Sequence, residues 1–344
     1  MSRRSARTAL ALVGAILLVG SAACRERERG VSLRRVRVFA QPHLSAGALY
    51  LSEAEGYFRD AGLEIDWVRA GSSRDLLPSL LEGDLDVMTS NLSPVYLNAA
   101  AQGGRLRIVA DKGHLARDGC NYLSFLTRPE LLRDGRLAVP ADGRKLRVSY
   151  RRGSFYEMLF DRALAASGLP REATELHFIS GEVENQALAE GGLDLTTTSG
   201  APMQALLDSG RAAVWLRAQD LLPDGQAYVV IYGPTLLDRE PGVGERFMAA
   251  YLRGVRQYNL GKTGRNVEVL AAALETPAAE IERACWIAIR DDGRIDLATV
   301  ESLAEWARTN GRLDAPLDAA TIWEPRFVER AAAELGVAAP SGKL

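Results

Sequence analysis

Six short runs are rich in hydroxyl, amide, carboxylate or guanidinium side chains, and four of them include glycine. They are Gln41-Pro42-His43-Leu44-Ser45, Gly71-Ser72-Ser73, Ser90-Asn91-Leu92-Ser93, Arg151-Arg152-Gly153-Ser154-Phe155, Gly181-Glu182-Val183-Glu184-Asn185 and Thr198-Ser199-Gly200. Glycine lets the backbone approach a bound molecule, and serine hydroxyls both donate and accept. Several runs open expected helices, whose first N–H groups and positive dipole end attract oxyanions. Arg152 adds charge-assisted donors. The chemistry on offer is recognition by hydrogen bonding. The expected contacts are His43, Gly71, Ser72, Ser73, Asn91, Ser93, Arg152, Gly153, Ser154, Phe155, Asn185 and Ser199. Helix capping accounts for Ser72, Ser73, Ser93 and Ser154 one at a time. It does not account for six such runs. Lys112 or Asn121 is expected close to the same place. Glu182 and Glu184 are expected to be solvated, and Trp67, Tyr156 and Phe160 to pack in the core.

Motifs for covalent chemistry are missing from the sequence. It has no G-x-S-x-G, no G-x-G-x-x-G and no H-E-x-x-H. Gly261-Lys262-Thr263 mimics the end of a phosphate-binding loop, but Arg256 stands where the earlier glycine belongs. Asp111, His114 and Cys120 do not have zinc spacing, so no metal or cofactor is expected. His43 is the one conceivable base.

The 344 residues are enough for two domains. With 47% hydrophobic and 25% charged residues, the composition excludes a disordered chain, a collagen and a polytopic membrane protein. The net charge is −2, and losing residues 1–23, with Arg3, Arg4 and Arg7 and no acids, leaves −5. Such a body has no electrostatic footprint for nucleic acid.

The N-terminus is laid out as an export signal: basic Met1–Arg7, apolar Ala9–Gly20, then Ser21-Ala22-Ala23 and Cys24. The apolar core is shorter than the ~20 residues of a membrane span. Ser5 and Ala6 after the arginine pair favour the general secretory route over the twin-arginine one. The box before Cys24 resembles that of a lipoprotein, with Ser21 where leucine is usual. A lipid anchor at Cys24 is expected, and ordinary cleavage after Ala23 stays open. Residues 24–32 then form a hydrated leash. Cys120 and Cys285 are expected to be two separate buried thiols.

The elements that must position the polar runs alternate. Strands are expected at 35–40, 63–69, 85–89, 105–110, 145–150, 175–180, 193–198 and 228–233, with helices between them and a helical C-terminal third. Glu82-Gly83-Asp84-Leu85-Asp86-Val87 lies 108 positions before Glu190-Gly191-Gly192-Leu193-Asp194-Leu195, and Pro94 before Pro202 at the same offset. Each proline sits where it can be the first residue of a helix. One architecture is therefore written twice. The fold expected is α/β: two lobes, each a mostly parallel sheet flanked by helices, with a cleft between. The first lobe takes 33–129, the second 130–224, and 225–340 returns to the first. The crossings fall near Arg128–Gly143 and Leu222–Tyr228, and two crossings make a hinge.

Tyr50–Leu63, Leu81–Thr89, Arg105–Ala110, Lys145–Gly153, Leu188–Thr197, Arg246–Tyr258, Asp292–Asp296 and Thr321–Arg330 together resemble a known family. It is that of the bacterial periplasmic solute-binding proteins that serve ABC importers of nitrate, alkanesulfonates, taurine and thiamine-pyrimidine precursors. The resemblance implies the type II periplasmic-binding-protein fold and closure around one small molecule. It also implies an ABC permease as partner, a monomer, and a place in the periplasm or at the cell surface. Two other readings stand beside it. One is a ligand-sensing module for a membrane partner, and the other is an enzyme of the pyrimidine-precursor type on the same fold.

Overall fold

The computed structural model describes residues 33–336 apart from 141 and 180–181. The expected export signal, the leash and Cys24 lie outside the described residues. In β1 (Arg34–Phe39) Val36 and Val38 turn inward and alternate with arginines. β2 (Leu63–Trp67), β3 (Val87–Asn91) and β4 (Arg107–Leu115) follow. After them come β5 (Leu123–Thr127), the small hairpin β6 (Leu132–Arg133) and β7 (Arg136–Leu137), and β8 (Leu146–Ser149). The last four are β9 (Thr174–Leu176), β10 (Leu195–Ser199), β11 (Ala213–Arg217) and β12 (Gly225–Tyr232).

Two five-stranded sheets result, in the orders β2-β1-β3-β12-β4 and β9-β8-β10-β5-β11. These are the same order. In the first, β3 is parallel to β1, and β12 runs against both β3 and β4. In the second, β10, β8 and β9 are parallel, and β5 runs against β10 and β11. Each sheet is mostly parallel with one reversed strand. That strand is the one the chain delivers as it crosses over: β5 going out and β12 coming back.

The first crossing occupies residues 116–122, upstream of the expected 128–143, so the second sheet begins at Leu123 and not after 129. All five residues of β5 are buried, and without polar alternation nothing in the sequence marks it as a strand. The return crossing includes the short helix Ala218–Leu221 and joins β12 at Gly225. The two crossings lie side by side. Asp224 N donates to Leu115 O (2.8 Å), Arg117 N to Asp224 Oδ1 (2.9 Å) and Gln219 Nε2 to Gly119 O (3.0 Å).

Cys120 and Cys285 are joined in a disulfide, with Cα atoms 5.7 Å apart, which corrects the expectation of two thiols. Helix Ala278–Arg283 stops short of Cys285, and the chain then turns back beside β4, pairing Ala288 with His114. The partners are 165 residues apart in sequence, so spacing carries no sign of the pairing.

The 108-residue repeat has a physical meaning. β3 and β10 stand at that offset, and before each lies a fully buried aspartate, Asp86 or Asp194. Arg37 grips Asp86 through its backbone N (2.8 Å), Nε (3.2 Å) and Nη2 (2.9 Å), while Nη2 also donates to Gly83 O (2.6 Å). Arg147 grips Asp194 in the same way (2.9, 3.2 and 3.0 Å) and donates to Gly191 O (2.6 Å). Gly83 and Gly191 both have left-handed φ, 86° and 80°, which lets the helix-to-strand turn present that carbonyl. The repeated motif is thus a pin that fixes the start of the third strand in each sheet. Pro94 does open its helix, whereas Pro202 is the third residue of the helix Gly200–Asp208.

The C-terminal helices cover the first sheet. Helix Pro241–Asn259 crosses helix Gly47–Ala54 at close quarters: a Cβ at Gly254 would lie 1.9 Å from Ser52 Oγ. Ser52 Oγ donates to Ala48 O (2.8 Å) and to Ala250 O across the interface (3.1 Å).

Candidate functional site

The segments that leave the C-terminal ends of β1, β2, β8, β9 and β10 surround a cavity of about 790 Å³. Open parallel sheets place their ligands at these strand ends. The first sheet contributes Gln41, Pro42, His43, Leu44 and Gly71. The second contributes Tyr150, Arg151, Phe178, Ile179, Glu184, Asn185, Thr197, Thr198, Ser199 and Gly200, with Tyr156 from helix Phe155–Ser167. Tyr122 comes from the first crossing. Leu274, Thr276, Glu280 and Ile281 form a third wall at and just before the short helix Ala278–Arg283, and the disulfide at Cys285 fixes that helix to the crossing.

Of the expected contacts, His43, Gly71, Asn185 and Ser199 line this cavity. The others lie elsewhere. Ser73 is buried in a hydroxyl triad with Ser90 (2.9 Å) and Tyr96 (2.8 Å). Ser72 Oγ accepts from Arg74 N (3.2 Å), and Asn91 Nδ2 donates to Leu92 O (3.2 Å). Ser93 is buried at the start of helix Pro94–Ala101, and Ser154 Oγ donates to Arg151 O (2.5 Å). Phe155 is fully buried and belongs to the core, not to a ligand. Arg152 is exposed, and its neighbour Arg151 is the arginine that faces the cavity. Gly153 O accepts from Arg74 Nη2 (3.0 Å), a direct bond between the two halves. Capping does not explain these serines: Ser93, Ser154 and Ser199 all occupy N-cap positions, and none makes a side-chain cap bond.

Several lining residues escaped the sequence. Glu184 is not solvated: it accepts from Thr196 Oγ1, and burial pushes its carboxyl up against the pull of that bond and of Arg151. Tyr156 is a lining residue as well as a packing one. Its hydroxyl meets that of Tyr228 at 3.2 Å, joining the two sheets, and burial pushes it up to about 12. Thr197 Oγ1 is buried in the wall without a hydrogen-bond partner among the described residues. The segment 274–281, a turn and the start of helix Ala278–Arg283, has neither glycine nor a strand before it, so nothing in its sequence announces it.

The electrostatics favour an acceptor-rich guest. Helix Gly200–Asp208 begins at the cavity with Ser199, Gly200, Ala201 and Pro202. Its free N–H groups and dipole add partial positive charge to that of Arg151. Burial, followed by the charge of Lys112, lowers His43, so its imidazole is neutral near pH 7. The grouping of Asp111, His114 and Cys120 is not a metal site. Cys120 is oxidised, and Asp111 is taken up by Gly113 N (2.6 Å), Gln226 Nε2 (2.7 Å) and Arg290 N (2.9 Å).

Two like-ordered sheets, exchanging one strand each and sharing a cleft at their strand ends, define the periplasmic-binding-protein fold. The family model described as NMT1/THI5 like matches residues 45–259, and the chain belongs to that family. No curated protein matches it in sequence. Among solved structures it is similar to the ligand-binding component of an ABC-type import system from Staphylococcus aureus, solved with zinc bound. Identity is 13% and the TM-score 0.71, over 87% of this chain and 99% of that one. It is also similar to the periplasmic aliphatic sulphonate-binding protein SsuA from Escherichia coli (18%, TM-score 0.65, 86% and 93%). The desulfurization enzyme DSZB has the same fold (16%, TM-score 0.63, 88% and 99%).

Proposed function

We propose that this chain is the extracytoplasmic solute-binding component of an ABC import system. It captures a small organic anion, or a polar heterocycle with acceptor groups, by closing its two lobes. The observation that carries this reading is the cavity of about 790 Å³, walled by strand ends from both sheets and bridged by Tyr156 and Tyr228. Arg151, the start of helix Gly200–Asp208 and the unpartnered Thr197 hydroxyl are donors suited to a sulfonate or carboxylate. The paired crossings at 116–122 and 218–224 serve as the hinge. We read the chain as a binding protein and not an enzyme, acting as a monomer beside its permease and held at the membrane through Cys24. Its ABC-import and SsuA neighbours support this, although DSZB shows that the fold also carries chemistry.

The test is a thermal-shift panel of alkanesulfonates, carboxylates, pyrimidines and amino-acid analogues on the mature protein. A true solute at one hundred times its Kd adds about 2.7 kcal/mol of stability. Unmoved melting across the panel would remove these solute classes. Membrane fractionation of Cys24→Ala tests the anchor: the variant should become soluble, and one that stays with the membrane contradicts lipidation.

A further inference from the structure

Behind the floor of the cavity lies a buried amine with no carboxylate at ion-pair distance among the described residues. Lys112, in β4, is 3% exposed and is the only buried lysine among the described residues. Its ammonium donates to Ser45 Oγ at 3.0 Å and stands 5.2 Å from the centre of the Tyr228 ring. Among the described residues no carboxylate reaches ion-pair distance. Asp111, its neighbour in sequence, has both oxygens occupied by Gly113, Gln226, His114 and Arg290. A desolvated ammonium without a counter-charge is costly, and such groups cluster at functional sites.

Apart from Asp111, which acts on the amine from its own strand and is itself held by Arg290, the elements packed around this amine contribute neutral groups. The loop after β1 gives His43, lowered by burial and by Lys112, and Ser45. The first crossing gives Tyr122, which hydrogen-bonds Ser45, and β12 gives Tyr228. Helix Phe155–Ser167 gives Tyr156 through the Tyr228 hydroxyl, and helix Pro241–Asn259 gives Tyr258, whose buried hydroxyl has no partner. Burial raises all four tyrosines, so none can act as a phenolate counter-ion near neutral pH. No described carboxylate stands at ion-pair distance, and the cavity, whose wall here is His43, Tyr122, Tyr156 and Ser199, is where a closer negative charge can enter.

We propose that Lys112 makes the cleft selective for anions by taking up a proton from solvent onto Nζ as the solute's acidic group enters against the His43–Tyr122 wall. It acts as a positioning residue through Ser45 and Tyr122, without touching the solute. This rests on the reading of the cavity as the solute site. Burial, opposed by Asp111, holds the free amine at about 7, so protonation and occupancy are coupled at neutral pH.

The experiment is titration calorimetry of the mature protein between pH 6 and pH 8, in buffer pairs that differ in ionisation enthalpy. The probes are 1-butanesulfonate, charged throughout, and its neutral counterpart butanesulfonamide. The expected result is that butanesulfonate binds about tenfold more weakly at pH 8 than at pH 6 and takes up a proton on binding. The sulfonamide should fail to bind, and Lys112→Met should melt no lower than wild type and lose the pH dependence. A flat profile without proton uptake, equal binding of the sulfonamide, or an unchanged profile in Lys112→Met would each overturn the inference. If only neutral members of the thermal-shift panel bind, the inference falls while the solute-binding reading stands. If nothing in that panel binds, it is the proposed function that has failed.

Discussion

Replacing Asp194 by alanine removes the pin of the second sheet and tests whether the repeated motif is structural. The Asp194 carboxylate is fully buried and shared by three guanidinium groups. Arg128 Nη2 lies at 2.6 Å and Arg147 at 3.0–3.2 Å, and Arg144 donates through both terminal nitrogens, its Nη2 at 3.0 Å. Arg147 N adds a backbone donor at 2.9 Å. Deleting one partner of a buried ion pair leaves uncompensated charge and costs about 3–5 kcal/mol. Here three cations lose their anion, so the upper part of that range is expected, against a total stability of about 5–15 kcal/mol. Among the described residues the side-chain hydrogen bonds to Asp86 come from Arg37, one guanidinium against three at Asp194, so Asp86→Ala should cost less. Urea unfolding followed by circular dichroism measures both. The sign with pH is also set. Burial alone would raise the Asp194 carboxyl, but the bonds from Arg144, Arg147 and Arg128 outweigh it and hold it well below the usual carboxylate range. Its contribution is therefore complete above an unfolded pKa of about 3.9 and is lost as pH falls toward the lower folded value. An Asp194→Ala protein within about 0.5 kcal/mol of wild type, the range of an ordinary surface change, would refute the pin.

Two further outcomes follow from buried groups. The Lys112 amine, lowered by burial to about 7, binds fewer protons folded than unfolded above that pH. Stability should thus rise between pH 7 and pH 9 by up to about 1.4 kcal/mol per unit, and Lys112→Met should flatten that slope in urea melts; an unchanged slope contradicts the burial argument. Protein lacking residues 1–32 should show no titratable thiol until reduced, and Cys285→Ser should cost about 2–4 kcal/mol; two reactive thiols in the untreated protein would disprove the disulfide.

The parts of the fold legible in the sequence were those with local, periodic causes. β1 alternates, Gly83 and Gly191 stop their helices, and the 108-residue echo comes from two copies of one pin. What escaped was set by tertiary partners. β5 is buried throughout, Ser124 and Thr127 included, and its place between β10 and β11 depends on strands some seventy to ninety residues later. The disulfide joins residues brought together only by the fold. The site was half visible for the same reason. Glycine and serine marked the right loops around His43, Gly71, Asn185 and Ser199, but which side chain turns to the cavity depends on register. Arg151, not Arg152, faces it, and Phe155 turns into the core. Gly153 shows the same limit. Its left-handed φ of 65° makes any larger side chain strained, so a bulky replacement there would disturb the backbone and its bond to Arg74 without reporting on the cavity.

Gly71 offers the cleaner block. It lines the cavity, and a Cβ built on it meets no atom within 4 Å, so Gly71→Trp can fill the space without displacing the fold. The decisive measurement is calorimetric titration of wild type and Gly71→Trp with the strongest stabiliser from the solute panel. The expected result is an unchanged solute-free Tm with affinity reduced at least about tenfold, or 1.4 kcal/mol. Full affinity in the blocked protein would place the solute outside the space between the two sheets and contradict the account.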